Sequence, residues 1–295
     1  MKKLLILFVA VTMTVNLWAD SYRDALVRYF ELGQVIDQSE YEQMMMPMSQ
    51  ALFPEDEAKG ATILSEYASQ QMMHDLIDIY QPAFRNHVTE AELNQLAATL
   101  QDPRILEIQA HTKQIMQTVT NSEEFQDFMG RYQAAVSVIL AGGEMPADIE
   151  RPAGVSDAYA NAFMAYYKSS GVADILTNAF QSRADMLTET LRRSGTENPE
   201  QYVNKLIQYT DRNLPVVLMS AFYKSLSISD LKDLCRLTDL PAYQHSLEAV
   251  KELVSDPLSL GLAIITRMSD WISLHYPQYA VPVQQQVKQM EMILR

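Results

Sequence analysis

The stretch Ser39-Glu-Tyr-Glu-Gln-Met-Met-Met-Pro-Met-Ser-Gln50 concentrates Met44, Met45, Met46 and Met48 around a proline. Thioethers are soft ligands. Met44, Met45 and Met48, joined by Met72, Met73 and His74 further along the chain, therefore form a candidate copper(I) site. The competing expectation is a kinked core helix over about residues 34–53. Tyr41, Met44, Met45, Met48 and Leu52 recur at intervals of three and four on one face, and Pro47 removes a backbone donor. Methionine, with three rotatable bonds, fills the irregular gap beside a kink. Met46 falls off this face, so it is the member expected to act outside the core.

Other reactive patterns are sparse. The five histidines, His74, His87, His111, His245 and His275, show no His-x-x-x-His spacing, which a helical zinc protease site requires. His74 and Asp78 stand four apart on one helix face, a geometry for a ligand with a carboxylate or for a solvated polar edge. No Gly-x-Ser-x-Gly elbow, phosphate loop or dinucleotide glycine pattern occurs. Glu123 and Glu124 are adjacent and diverge by about 100° on a helix, so they read as first-turn acids behind Ser122. The single cysteine, Cys235, excludes an intrachain disulfide and zinc sites built from paired cysteines. It shares a helical face with Leu231 and Leu234 and is expected to pack as a small hydrophobe. No catalytic residue and no cofactor is assigned on these grounds, and a hydrolase with an unmarked site is the enzymatic alternative.

The elements that must position these residues begin after a segment of another kind. Lys2 and Lys3, the apolar run Leu4 to Val15 and a small residue at Ala19 read as a signal peptide over residues 1–19. The run is shorter than the roughly 20 apolar residues that span a bilayer. No cysteine follows it, so anchoring by a lipid on cysteine is not available. The expected product is exported, soluble and periplasmic, with no transmembrane segment after cleavage. Its formal charge becomes two units more negative than the −14 of the whole chain. Such acidity excludes nucleic acid, whose phosphates need clustered Lys and Arg.

Beyond residue 19 the pattern is helical. Glycine is scarce, at nine residues, and Leu64, Tyr67, Ala68, Met72, Leu76, Ile79 and Phe84 recur with a period near 3.6. Thr89-Glu-Ala-Glu92 is a capping box, and Asp102-Pro103 and Asp256-Pro257 place proline at a first helical position behind a capping acid. The apolar run from Pro257 to Ile265 is expected to be a core helix with Trp271. The chain also matches itself. Tyr22, Ala25 and Tyr29-Phe30 meet Tyr159, Ala162 and Tyr166-Tyr167 at a shift of 137 residues, and Ala83-Phe84 with its following helix meets Ala221-Phe222 at 138. The expected architecture is all-α, with two pseudo-repeated helical bundle units at 20–140 and 156–295. A Gly/Pro-containing linker over 141–155 joins them.

Tyr80-Gln-Pro-Ala-Phe84 followed by Val88-Thr-Glu-Ala-Glu-Leu93, behind a signal peptide, resembles the exported bacterial domain-of-unknown-function family numbered 2059. The similarity runs from Ile63 to about Ile115, with a weaker echo from Val203 to Leu253. Where that family continues with an aromatic, a Ser-Pro pair and a glycine, this chain has Thr99-Leu-Gln-Asp-Pro-Arg-Ile105. The resemblance implies an exported helical protein and carries no functional residues. Duplicated helical units make a cleft natural, and clefts favour ligands. The expected function is a non-enzymatic binding or adaptor protein for an apolar ligand or a protein partner such as a helix. Copper handling through the methionines is the alternative.

Overall fold

The computed structural model describes residues 21–33, 48–141 and 145–294. The signal segment, Met44, Met45, Met46, Pro47 and most of the helix expected over 34–53 lie outside the described residues; residues 48–52 are helical. The all-α expectation is met: no strand occurs among the described residues.

In chain order the helices are α1 (21–32), α2 (48–52), α3 (Glu57–Gln70), α4 (Met72–His87), α5 (Glu90–Leu100), α6 (Pro103–Val119) and α7 (Glu123–Ala141). There follow α8 (Asp157–Ser169), α9 (Val172–Arg193), α10 (Pro199–Tyr223), α11 (Ile228–Thr238), α12 (Pro241–Val254), α13 (Pro257–His275) and α14 (Ala280–Leu294). A short 3₁₀ turn, Pro277–Tyr279, precedes α14.

Local chemistry starts these helices where the caps indicate. Thr89 accepts from the Glu92 amide while Glu92 accepts from the Thr89 amide, which satisfies two otherwise orphaned donors of α5. Ser227 and Asp230 repeat the arrangement at α11. Asp102 and Asp256 accept from Arg104 and Ser259 amides at the proline-led starts of α6 and α13. Ser227→Ala is expected to lower unfolding free energy by about 1 kcal/mol, as helix caps generally do. Urea denaturation measures this, and Thr89→Ala should match it within about a factor of two.

The chain divides into two compact units, one made of residues up to 101 together with 241 onward, the other of 102–240. These boundaries differ from a seam at 141–155, and side-chain chemistry explains why. In the second unit Asn213 of α10 accepts from the Ile149 amide and Arg212 holds Asp148 at 2.8 Å. Val155 is buried in the core, and the Tyr223 hydroxyl donates to the Gly154 carbonyl at 3.0 Å. The Gly/Pro-containing segment is thus fastened to α10 within one unit.

In the first unit α12 packs along α4 and α5, α13 packs on α4 and α3, and α14 packs on α13. Its core includes Leu26, Phe30, Ile63, Tyr67, Phe84 and Leu93. Phe30 meets the Phe84 ring edge-on at 5.1 Å, and Trp271 lies against Tyr67 at 5.5 Å. Gly60 is required at one close approach, because an added Cβ would sit 2.6 Å from the Phe53 ring.

In the second unit α8 packs on α11, α7 and α9 pack on α10, and α6 packs on α10 and α11. Phe128, Phe163, Tyr209, Phe222 and Leu231 form one core cluster, in which Phe163 meets Phe222 edge-on at 5.3 Å.

Candidate functional site

The candidate soft ligands divide by surroundings. Met44 and Met45 lie outside the described residues, Met48 is half-buried, Met72 is buried in the core of the first unit, Met73 is half-buried and His74 is exposed. Met72 and His74 stand two apart on α4 and so project roughly 200° apart, one inward and one to solvent. Asp78 is turned to Arg23 at 3.1 Å and to Arg267 at 4.0 Å. Among the described residues no three His, Cys, Asp or Glu side chains are grouped to hold a metal.

Cys235 is half-buried, and burial first, then Asp239, raises its thiol pKa. This is opposite to the electropositive setting that activates a cysteine. Glu124 does not face Glu123's surroundings. It pairs with Lys224 at 2.5 Å and accepts from Ser220, and these contacts, Lys224 first, hold its carboxyl below the usual range. Ser122 accepts from the Phe125 amide, as a first-turn cap does.

Each unit buries polar side chains within its helices, and Asp75 and Asn213 carry the most hydrogen-bonding groups among them. Asp75 of α4 is 5% exposed and accepts from the Tyr67 hydroxyl at 2.9 Å and from Gln71 at 3.0 Å. Burial, reinforced by Asp75, pushes the Tyr67 hydroxyl far up, so that hydroxyl stays protonated and donates. Asn213 of α10 is fully buried. Besides accepting from Ile149, it donates to the Tyr209 carbonyl at 2.7 Å and to Asp148 at 3.1 Å. Arg212 first, then Asn213, holds the Asp148 carboxyl below its usual range. These polar groups spend their hydrogen-bonding capacity on the fold. None is arranged as a nucleophile with its base.

Among the described residues, one cavity in each unit opens on the surface. In the second unit a cavity of about 270 Å³ is bounded by His111, Gln114, Ile115, Thr118 and Ser225. In the first unit a groove of about 540 Å³ has Leu52 and Phe53 at its floor and Tyr279 and Pro282 along one wall. Phe53 meets Tyr279 edge-on at 5.4 Å, and Gln278, Gln285 and Gln286 supply amides at the rim. Neither cavity offers a large dry apolar interior of the kind small apolar ligands occupy.

A larger departure from expectation lies on α13. The apolar run beginning at Pro257 is not in the core. No described side chain from Ser255 to Arg267 is buried, although Leu260, Leu262, Ile264 and Ile265 fall among them. Leu258 is 49% exposed and the neighbouring Val254 51%. Core packing begins only at Met268 and continues with Trp271 and Ile272. The sequence signal lies in the pattern: Leu258, Leu260, Leu262, Ala263, Ile264 and Ile265 surround the helix instead of forming one stripe, so no single packing face can bury them all. In the second unit α7 starts with polar residues, then sinks Phe128, Ala135 and Ile139 into its cores. The first half of α13 therefore presents a half-buried apolar surface on which Leu258 is exposed, with Val254 exposed beside it. No helix among the described residues is long and apolar enough to cross a membrane.

No family model matches the chain, no curated protein is similar to it and no solved structure matches it.

Proposed function

We propose that the protein is exported and non-enzymatic, and that it works by holding a partner helix against the first half of α13. The observation that supports this reading is the run from Leu258 to Ile265, in which Leu258 is exposed and Leu260, Leu262, Ile264 and Ile265 stay half-buried instead of entering the core. Apolar surface left in water is unfavourable by about 25 cal/mol per Å², and an amphipathic helix laid along it removes that cost. Charge narrows the partner. With a formal charge of −14, the chain favours a partner whose polar flank carries Lys or Arg.

A pair of designed helical peptides tests the reading, one of Leu and Lys, the other of Leu and Glu in the same pattern. Fluorescence anisotropy should show the cationic peptide binding and the anionic one failing. The Leu258→Glu/Leu262→Glu variant should lose at least about tenfold in affinity, the equivalent of roughly 1.4 kcal/mol. Its melting temperature should stay within a few degrees of the parent's, because neither side chain is buried in the core of the free protein. Met186→Glu, which alters an exposed apolar residue of the other unit, should bind like the parent. Equal binding by all three proteins would refute the assignment.

A further inference from the structure

The two compact units are assembled alike, yet neither is assembled from consecutive helices of one sequence copy. Tyr22, Leu26 and Tyr29 of α1 are buried, as are Tyr159, Phe163 and Tyr166 of α8, 137 positions later. The shift of 138 pairs buried Phe84 with buried Phe222, Leu93 with Leu231, and Leu96 with Leu234. It also pairs two buried polar residues, Asp75 in the first turn of α4 and Asn213 within α10. In each case hydrogen bonds offset the desolvation of the buried group.

The helix that follows this shared core is in each case supplied by the other copy. In the first unit α1, α4 and α5 come from the first copy, and α12, which packs along α4 and α5, comes from the second. In the second unit α8, α10 and α11 come from the second copy, and α6, which packs on α10 and α11, comes from the first.

The contacts correspond in kind. Tyr29 of α1 donates to Ser246 of α12 at 3.3 Å, while the Tyr166 hydroxyl of α8 is hydrogen-bonded to Thr112 of α6. Glu92, the acid of the α5 capping box, also binds His245 of α12 at 2.7 Å. Asp230, the acid of the α11 capping box, also binds Arg104 of α6 at 3.1 Å. One residue in each copy therefore both starts its own helix and bonds a nitrogen-bearing side chain of the incoming one.

We infer that the chain is a fused pair of helical copies that have exchanged their carboxyl-terminal helices, so that each half is completed only by the other. The partner of each copy is thus a second copy of the same fold. In this chain it is covalently attached.

The test uses the full chain with a protease site inserted between Gly142 and Gly143, in a Cys235→Ser background. One variant carries His87→Cys and Glu252→Cys, whose native side chains meet at 2.7 Å within the first unit. A second carries Arg104→Cys and Asp233→Cys, which meet at 2.6 Å within the second. In both, one cysteine lies on each side of the cleavage point, so a short bis-maleimide joins the halves only if helices are exchanged. After cleavage without cross-linker, the halves should co-elute on gel filtration. After cross-linking and then cleavage, a denaturing gel should show one band at the full mass for each variant. Separation of the nicked halves under native conditions, or two half-mass bands after cross-linking, would overturn the inference. A cross-linked product only at twice the full mass would place the exchange between two chains and overturn it in the fused form.

Discussion

Phe84→Ala should cost about 3–5 kcal/mol of unfolding free energy, the range for deleting a fully buried aromatic ring. Phe84 is 1% exposed, with Phe30 edge-on at 5.1 Å and Tyr29 at 6.3 Å. The location of the effect is the more telling part. Loss of the ring loosens the core that α12 packs on, so amides of Pro241–Val254 should exchange faster although they lie over 150 residues away in sequence. Amides of α8 and α11 should keep their protection. Hydrogen exchange read by mass spectrometry separates these results, and a loosening confined to α4 and its sequence neighbours would count against the packing described. Phe222→Ala should give the mirror pattern, with α6 loosened and α12 unchanged.

Asn213→Asp is expected to be about as damaging, at roughly 3–5 kcal/mol near neutral pH, because it places an unpaired charge in a closed site. The side chain keeps its size but loses its two donors. The new carboxylate would face the Tyr209 carbonyl and the Asp148 carboxylate, both acceptors. Burial and the like charge of Asp148 raise the new group's folded pKa above its unfolded value. The sign follows from that. Below the unfolded pKa both states are protonated and the charge penalty is absent, and it grows as pH rises toward the folded pKa. Denaturation at about pH 4 should therefore bring the variant closer to the parent than denaturation at about pH 7.5. A penalty independent of pH would contradict the argument. Trypsin offers a second readout, since the segment carrying Arg151 is fastened through Ile149 and Asp148 to this asparagine and should be cut faster once it is released.

Much of the fold was legible because its signals are local. The spacing Thr89-x-x-Glu92 and the Asp-Pro pairs at 102 and 256 specify hydrogen bonds within three residues, and those bonds are present. Periodicity likewise marked Leu93, Leu96 and Leu100 as inward-facing, and all three are buried. What a helical period cannot state is the identity of the opposing surface. Leu231 and Leu234 announce an apolar stripe on α11, but nothing in their spacing says that α6, rather than α12, lies near it. Composition misleads for a related reason. Residues 145–155 look like a connector because of their prolines and glycine, whereas Asn213, more than 60 positions away, decides that they are held. For the candidate site, the methionine run lies mostly outside the described residues. The apolar character of α13 was visible in the sequence, and its exposure was not, since exposure depends on what packs elsewhere.

The nesting of one compact unit within the other sets an order for biogenesis. Residues 102–240 form a continuous stretch, so that unit has all its helices as soon as Leu240 has emerged from the ribosome. The unit begun by α1 to α5 has no such freedom, because α12 and α13 arrive last. Its early helices must wait with apolar faces unpaired, and large chains in that condition are prone to aggregate. Once the inner unit has folded, it draws the two flanking segments toward each other and lowers the loop-closure entropy of joining them. A chain built this way folds from the middle outward, with its two ends the last parts to be joined.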